Sequence, residues 1–158
     1  MAELEKALEE GMDELAHMLM SPERISEELL TSMVEDGMAV VPTLSIFSGR
    51  ALRIAVDNLR RFAALGGTIV YGTDLGNEGP RPGIDRREIK GMARAGLTGR
   101  DIVASATTLA ADWLGLGDSG VLTPGARADV ICVPDRAWEE PEALTDVRIV
   151  FRRGIRVR

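Results

Sequence analysis

Three polar residues of this sequence could take part in chemistry, because each follows an apolar stretch typical of a buried strand. His17 ends one such stretch, Thr43 follows residues 38–41, and Asp74 follows residues 68–71. Functional groups of parallel α/β proteins collect at the carboxyl ends of the strands. An imidazole there could bind a metal or transfer a proton. A carboxylate could bind a metal and act as a base toward metal-bound water.

Each of these residues also has a structural interpretation. His17 is the only histidine of the chain, and a lone histidine is ordinarily structural. Asp74 lies in a glycine-containing stretch, where a carboxylate could cap the next loop. Thr43 could orient a substrate carbonyl, but a threonine after a proline is equally suited to a turn, and we place no catalysis on it. The residues alone leave both interpretations open.

Other catalytic patterns are missing from the sequence. The glycines of residues 76–83 form no Gly-x-Gly-x-x-Gly motif and precede no lysine with serine or threonine in phosphate-binding spacing. No serine lies in a Gly-x-Ser-x-Gly setting. Cys132 is the single cysteine, which excludes an intramolecular disulfide and a paired-thiolate zinc site and fits a reducing cytoplasm. We therefore predict neither a nucleotide site nor a serine-hydrolase triad.

The charge pattern argues against two classes of partner. Lys and Arg total 19 against 25 Asp and Glu, a net charge of −6 that disfavours wholesale nucleic-acid binding. The five C-terminal arginines are better explained as charges on an edge strand. The amino-terminal residues are acidic and amphipathic, and no apolar run approaches the ~18 to 20 residues that span a bilayer. We expect a cytoplasmic protein that binds neither nucleic acid nor membrane.

The first half of the chain alternates predicted helices with apolar strands. Helical spacing ends at Gly11, Gly37 and Gly66. The second helix is predicted to start with Ser21 as N-cap and Pro22 at its first position. Strands are predicted over 12–18, 38–41 and 68–71. Because these strands are almost continuously apolar, they indicate parallel strands covered by helices, an α/β fold.

The second half is predicted to contain two more helices and a small β element. One helix runs from about Asp85 to Ala95, and another opens at Thr98 with Asp101 in capping-box spacing. The expected core face of the latter helix consists of Ile102, Val103, Ala106, Leu109, Ala110 and Trp113. From Gly115 onward the sequence changes to turn residues and short strands, predicted over 128–133, 147–151 and 155–157.

The region between these two parts has a long and specific motif. Residues 107–116 read Thr-Thr-Leu-Ala-Ala-Asp-Trp-Leu-Gly-Leu, and residues 120–130 read Gly-Val-Leu-Thr-Pro-Gly-Ala-Arg-Ala-Asp-Val. This pattern resembles the C-terminal signature of the metal-dependent amidohydrolases, in particular the imidazolonepropionase and Xaa-Pro dipeptidase-like branch. The resemblance extends upstream, where residues 11–17, 41–44 and 72–74 are similar to the ends of the sixth, seventh and eighth barrel strands.

The resemblance implies a fold and a site. Residues 1–114 would form the last strands and helices of a partial (β/α)8 barrel, and residues 115–158 part of the small C-terminal β-sandwich. His17 would match the sixth-strand histidine, a metal ligand or transition-state stabiliser. Asp74 would match the eighth-strand aspartate that binds metal and handles the proton. Trp113 and Asp129 would be mostly structural.

The resemblance also implies an incomplete metal site. The family's first-strand His-x-His, its fourth-strand lysine or glutamate and its fifth-strand histidine have no counterpart here. The intact enzymes use a divalent metal, for which zinc is our first expectation, and hydrolyse small amide or dipeptide-like substrates at C–N bonds. One histidine and one aspartate cannot complete the three or four ligands of a catalytic zinc, so we expect this chain alone to bind no metal and to be inactive or nearly so.

Three hypotheses follow for the chain as a whole. It could be a C-terminal fragment of an amidohydrolase, a non-enzymatic module that forms oligomers, or one half of a split enzyme completed by a partner that supplies the N-terminal half. An open half-barrel would expose strand edges and apolar surface. We therefore expect either a homo-oligomer or an N-terminal-half partner.

Overall fold

The computed structural model describes residues 1–20, 24–76, 79–80 and 82–158. The helices are α1 (Ala2–Glu9), α2 (Glu27–Glu35), α3 (Gly49–Ala64), α4 (Arg86–Arg94), α5 (Gly99–Ala106) and α6 (Thr108–Trp113). The strands are β1 (Glu14–Ala16), β2 (Ala39–Val41), β3 (Val130–Cys132), β4 (Ile149–Arg152) and β5 (Ile155–Arg156). Short 3₁₀ helices cover Leu44–Ile46, Asp135–Trp138 and Pro141–Thr145.

The parallel arrangement predicted for the first strands is confirmed. β1 pairs with β2 in parallel, with Glu14 opposite Ala39. The predicted third strand over 68–71 is reduced to a single parallel bridge between Val40 and Ile69, because the chain leaves the ladder after Val70, where Tyr71 N–H donates to Ser105 O at 3.0 Å instead. The fold class is α/β, as predicted.

The observed helix starts show where local sequence patterns were sufficient to predict the first residue of a helix. Thr98 and Asp101 form the expected capping box at the start of α5. Asp85 caps α4 by accepting from two backbone N–H groups of the first turn. The predicted start of α2 was wrong: the helix begins at Glu27, and the Ser26 side chain accepts from Leu29 N–H at 3.1 Å. The predicted cap, Ser21, and the following Pro22 lie outside the described residues.

The helix predicted from Thr98 to Trp113 is interrupted at Thr107. The backbone there has φ −130° and ψ −90°, which divides the segment into α5 and α6. The Thr107 hydroxyl donates to Val103 O at 2.6 Å, a side-chain bond that bends helices. Gly120 approaches the bend so closely that a Cβ on it would lie 2.6 Å from Thr107 O.

The bend also corrects the predicted core face of this segment. Ile102 is buried as expected, but Leu109 is 38% exposed and Ala106 is exposed. Ser105 and Ala111 are buried in their place. The change in helix direction at Thr107 shifts which residues face inward, and a continuous 3.6-residue period could not anticipate it.

The short strands predicted for the C-terminal β element form, and the structure pairs them as an antiparallel sheet in the order β3–β4–β5. Val130 lies opposite Phe151, and Phe151 lies opposite Arg156. The sheet is largely exposed: Ile155 is 70% exposed and Val157 is 61% exposed.

The hydrophobic core lies between the parallel strands and helices α1–α5, and Ala137 and Leu144 of the later 3₁₀ helices belong to it as well. Phe62 on α3 is completely buried and packs against Gly67, where an added Cβ would lie 2.3 Å from the ring. The largest other fully buried apolar side chains are Met18, Ile25, Leu30, Met33, Met38, Leu44, Leu59, Ile89, Met92 and Ile102. This core includes Met18 and Leu44, which directly follow His17 and Thr43 in the chain. Throughout the described ranges, no helix has both the length and the apolar character needed to cross a bilayer.

Candidate functional site

The three strand exits identified in the sequence share an unusual backbone conformation. His17 has φ 79°, Thr43 has φ 48° and Asp74 has φ 53°. Among non-glycine residues this left-handed region is uncommon, and it is least favourable for a β-branched residue such as Thr43. Such strain persists only where the surrounding structure imposes it, and it is concentrated at functional sites.

The same three residues lie together in space. His17 Nδ1 is 2.7 Å from Thr43 Oγ1, and His17 Nε2 is 3.9 Å from Asp74 Oδ2. The Thr43 side chain is buried, whereas the side chains of His17 and Asp74 are 47% and 32% exposed. A partly exposed imidazole and a partly exposed carboxylate therefore face each other at the carboxyl ends of the two parallel segments on either side of β2.

Thr43 contacts the imidazole ring. We expected it either to orient a substrate carbonyl or to stabilise a turn. Its hydroxyl instead bonds to His17 Nδ1 and directs Nε2 toward Asp74. Histidines that bind metals commonly have their second ring nitrogen fixed by a hydrogen-bond partner, so this contact suits a ligand.

The donor set is consistent with part of a divalent-metal site. Two ligands of one zinc ion, each at ~2 Å from the metal, lie within ~4 Å of each other, and the 3.9 Å between Nε2 and Oδ2 satisfies this limit. Among the described residues, no group of three or more His, Cys, Asp or Glu side chains could hold a metal ion. His17 and Asp74 thus form a pair of donors to which further ligands would have to be added.

The buried carboxyl group of Glu88, which contacts the turn after Thr43, was not predicted from the sequence. Glu88 on α4 is 0% exposed, and its Oε2 accepts from Ser45 N–H at 2.7 Å. Ser45 Oγ in turn donates to Thr73 O at 3.2 Å, immediately before Asp74. The sequence contained one usable signal, because Glu88 has helical spacing with Met92 and therefore lies on the apolar face of α4.

Burial is the largest influence on the pKa values of two side chains in this region. It raises the pKa of Glu88 to about 7, aided by the nearby Asp85 carboxylate and opposed by the backbone N–H groups of Ser45 and Leu44. Burial likewise raises the pKa of Tyr71 to about 12. The Tyr71 hydroxyl accepts from Asp85 N–H at 2.8 Å. Glu88 can therefore be neutral or charged near neutral pH, whereas Tyr71 stays neutral.

A separate cleft lies away from these residues. It has a volume of about 470 Å³ and is lined by residues that include Gly67, Ile69, Leu97 and Leu109. Gly67 precedes the Ile69 bridge and Asp74 follows it, so the cleft lies toward the opposite end of the parallel segments. None of the three strand-exit residues lines it, and we do not assign the chemistry to it.

The two residues expected to be structural make structural contacts. The Trp113 indole N–H donates to Glu14 Oε2 at 2.9 Å, which joins α6 to β1. Asp129 Oδ1 accepts from Arg153 N–H at 2.7 Å, which joins the approach to β3 with the β4–β5 turn.

Comparison with known proteins identifies the family. The sequence pattern of the amidohydrolase family matches residues 4–156, nearly the whole chain. The chain therefore belongs to the amidohydrolase family. An imidazolonepropionase from Deinococcus deserti is 34% identical over 103 residues, covering 62% of this chain and 26% of that protein. The resemblance inferred from the sequence motif is confirmed.

Solved structures support the fold. A Xaa-Pro dipeptidase with bound methionine in its active site superimposes with a TM-score of 0.80 at 25% identity, covering 97% of this chain and 41% of that one. Ochratoxinase from A. niger gives a TM-score of 0.78 at 23% identity, covering 97% of this chain and 38% of that one; this likeness shows the fold alone. The chain spans about a quarter of the curated relative and about two fifths of these structures.

Proposed function

We propose that these residues form the C-terminal part of a metal-dependent amidohydrolase that acts on amide or other C–N bonds, with His17 and Asp74 as its share of the active site. The observation that carries the proposal is the 3.9 Å approach of His17 Nε2 to Asp74 Oδ2 at the exits of parallel segments. Family membership supports the reaction class. The relatives named imidazolonepropionase and Xaa-Pro dipeptidase support a small amide or dipeptide-like substrate.

In this proposal residues 1–114 are the last strands and helices of a (β/α)8 barrel, and residues 115–158 contribute to a small β-sandwich. The parallel pairing of β1 with β2, the bridge to Ile69 and the antiparallel β3–β4–β5 sheet are compatible with that division.

His17 and Asp74 would hold a divalent metal, for which zinc is the first candidate from the nitrogen and oxygen donors. A zinc ion in such a site polarises the scissile carbonyl and activates a water molecule. Asp74 would accept the proton of the attacking water and return it to the leaving nitrogen. Thr43 would fix the imidazole of His17 so that Nε2 points toward the reacting atoms.

We further propose that the remaining ligands come from a segment outside these 158 residues, either earlier in a longer chain or on a partner. The exposure of β1 supports this step. Glu14 and Ala16 are exposed, whereas Ala39 and Val40 on the adjacent strand are completely buried. Parallel strands are normally covered on both faces, so a further segment beside β1 would complete the sheet. Self-association of this chain through the same face is the alternative.

The first experiment measures mass and metal content together. The purified chain is examined by light scattering, metal is quantified by elemental analysis, and zinc is titrated calorimetrically into the chain and into His17→Gln and Asp74→Asn. We expect less than one equivalent of co-purified metal and weak zinc binding that each variant weakens further. Asp112→Asn, an exposed carboxylate on α6, is the matched control and should bind as the unmodified chain does.

Two results would contradict the proposal in different ways. One tightly held equivalent of zinc that both site variants lose would show that the ligand set is complete without a further segment. Zinc binding unchanged in both variants would remove His17 and Asp74 from the site. In a longer polypeptide that carries these residues behind an amidohydrolase N-terminal half, Asp74→Asn should lower hydrolysis by about 10²-fold or more.

A further inference from the structure

Glu88 is a buried carboxyl group with no evident structural reason to be ionisable. It is completely buried on α4, and its Oε1 accepts no hydrogen bond of ordinary geometry from the described residues. A buried polar atom without a partner costs stability. An apolar side chain of similar size would avoid that cost on a helix whose other inward residues, Ile89 and Met92, are apolar.

The other carboxylate oxygen is attached to the turn that carries Thr43. Glu88 Oε2 accepts from Ser45 N–H at 2.7 Å, within the 3₁₀ turn Leu44–Ile46. The N-cap of that turn is Thr43, whose left-handed backbone places its hydroxyl on His17. Gly91, one turn further along α4, permits this approach, because a Cβ there would lie 2.7 Å from Leu44 Cδ1.

The same turn also reaches Asp74. Ser45 Oγ donates to the carbonyl of Thr73 at 3.2 Å, and this carbonyl belongs to the peptide that leads into the left-handed Asp74. Ser45 is itself only 2% exposed. Glu88 is therefore linked through Ser45 to the two strand exits that carry Thr43 and Asp74.

We propose that Glu88 is a positioning residue, whose side-chain oxygen holds the Thr43–Ser45 turn and thereby sets the mutual placement of His17 and Asp74. It contacts neither residue directly. Its role in catalysis rests on the function proposed above, whereas its role in placing the two side chains is a property of the chain and is measured without any substrate.

The test uses the single histidine as a spectroscopic probe. The His17 ring gives one set of imidazole signals, and long-range ¹H–¹⁵N spectra report its tautomer and the hydrogen bond at Nδ1. Glu88→Gln keeps an oxygen that can accept from Ser45 N–H, so the His17 signals should stay as in the unmodified chain. Glu88→Ala removes the acceptor and should shift these signals and mix the tautomers. Ile89→Ala, a cavity in the same helix, is the matched control for lost stability and should leave the His17 tautomer unchanged.

A second variant covers the case in which Glu88→Ala fails to fold. Ser45→Ala keeps the backbone N–H that donates to Glu88 and removes the hydroxyl, which donates to Thr73 O and also contributes a hydrogen bond to the Glu88 carboxyl group. It should shift the backbone amide signals of Thr73 and Asp74 and leave the tautomer of His17 in place. Unchanged Thr73 and Asp74 amides would overturn the proposed link.

A measurement of zinc affinity tests the same proposal independently. Loss of a direct hydrogen-bond partner of a metal ligand typically lowers metal affinity by about 10- to 100-fold. Glu88 acts on such a partner, Thr43, one step removed, so Glu88→Ala should weaken zinc binding by up to about tenfold and Glu88→Gln should not. If the unmodified chain, which lacks the remaining ligands among its described residues, binds zinc too weakly to measure, the imidazole spectra test the positioning role without zinc. His17 signals unaffected by Glu88→Ala, or shifted equally by Ile89→Ala, would overturn the role of Glu88.

Discussion

Among the residues that the structure describes, two regions contain non-glycine residues with a left-handed backbone, and the surroundings of these residues differ. Arg153 has φ 49° and is followed by Gly154 with φ 78° in the two-residue loop between β4 and β5. A tight hairpin requires positive φ at both central positions, so the local turn accounts for Arg153. His17, Thr43 and Asp74 instead each follow a segment that pairs in parallel, not a hairpin strand.

The strand-exit residues are instead held by contacts between distant parts of the chain. His17 bonds to Thr43 across 26 positions, and Ser45 bonds to Glu88 across 43 positions. The comparison distinguishes two kinds of left-handed residue. At Arg153 a hairpin turn accounts for the positive φ, and a distant contact, from Arg153 N–H to Asp129 Oδ1, adds to it. At the strand exits the conformation occurs without a hairpin and with contacts from distant segments. Only the second kind brings functional side chains together, which is why we place the chemistry there.

The largest expected difference between the two regions concerns packing. Phe62→Ala removes a completely buried ring next to Gly67 and should lower the free energy of unfolding by about 3–5 kcal/mol. Ile155→Ala in the C-terminal sheet removes a side chain that is 70% exposed and should change it by less than about 0.5 kcal/mol. Urea denaturation followed by circular dichroism measures both. Equal losses would show that the sheet is as tightly packed as the α/β core.

The free energy of unfolding should depend on pH through the α/β core, where Glu88 is buried. The C-terminal sheet contains no comparably buried acid among its described residues. The pKa of Glu88 is raised from 4.5 to about 7 in the folded chain, so the folded state binds an extra proton between these values. Its contribution is fully present below about pH 4 and is lost as the pH rises through 7, with a total on the order of 3 kcal/mol.

Glu88→Gln tests this dependence, since a neutral amide has no proton to lose. Denaturation midpoints recorded from pH 5 to 8 should fall with pH in the unmodified chain and remain nearly level in the variant. Asp101→Asn is a useful control, because hydrogen bonds from Thr98 hold the pKa of this carboxyl below its usual range, outside the window measured. An equal slope in Glu88→Gln would assign the dependence to another group.

The smallest expected difference concerns the strained backbone itself. Arg153→Gly relieves a left-handed residue whose side chain is exposed, and it should raise the free energy of unfolding by about 1 kcal/mol. His17→Gly gains a similar amount but loses the bond to Thr43 Oγ1, worth about 1 kcal/mol, so the net change should be close to zero. Thermal unfolding measures both variants. A gain in His17→Gly as large as in Arg153→Gly would mean that the imidazole contact contributes nothing.

Much of the fold could be predicted from neighbouring residues. The Thr98–Asp101 capping box and the helix that starts after Asp85 depend on groups within three positions of each other. Apolar continuity was sufficient for the parallel pairing of β1 and β2. The predictions failed where a contact from elsewhere intervened, as at Thr107, where Gly120 packs against the bend, and at residues 68–71, where Ser105 replaces a strand as the partner of Tyr71.

The candidate site divides in the same way. The sequence by itself determined which residues could do chemistry, because the residue type and the position after an apolar strand are local properties of His17, Thr43 and Asp74. Only the tertiary structure decided how they meet and what supports them. The bonds from Thr43 to His17, from Ser45 to Thr73 and from Glu88 to Ser45 join segments 26, 28 and 43 positions apart. No spacing rule reaches that far, because such pairs are brought together by packing of the core and not by the geometry of one helix or strand.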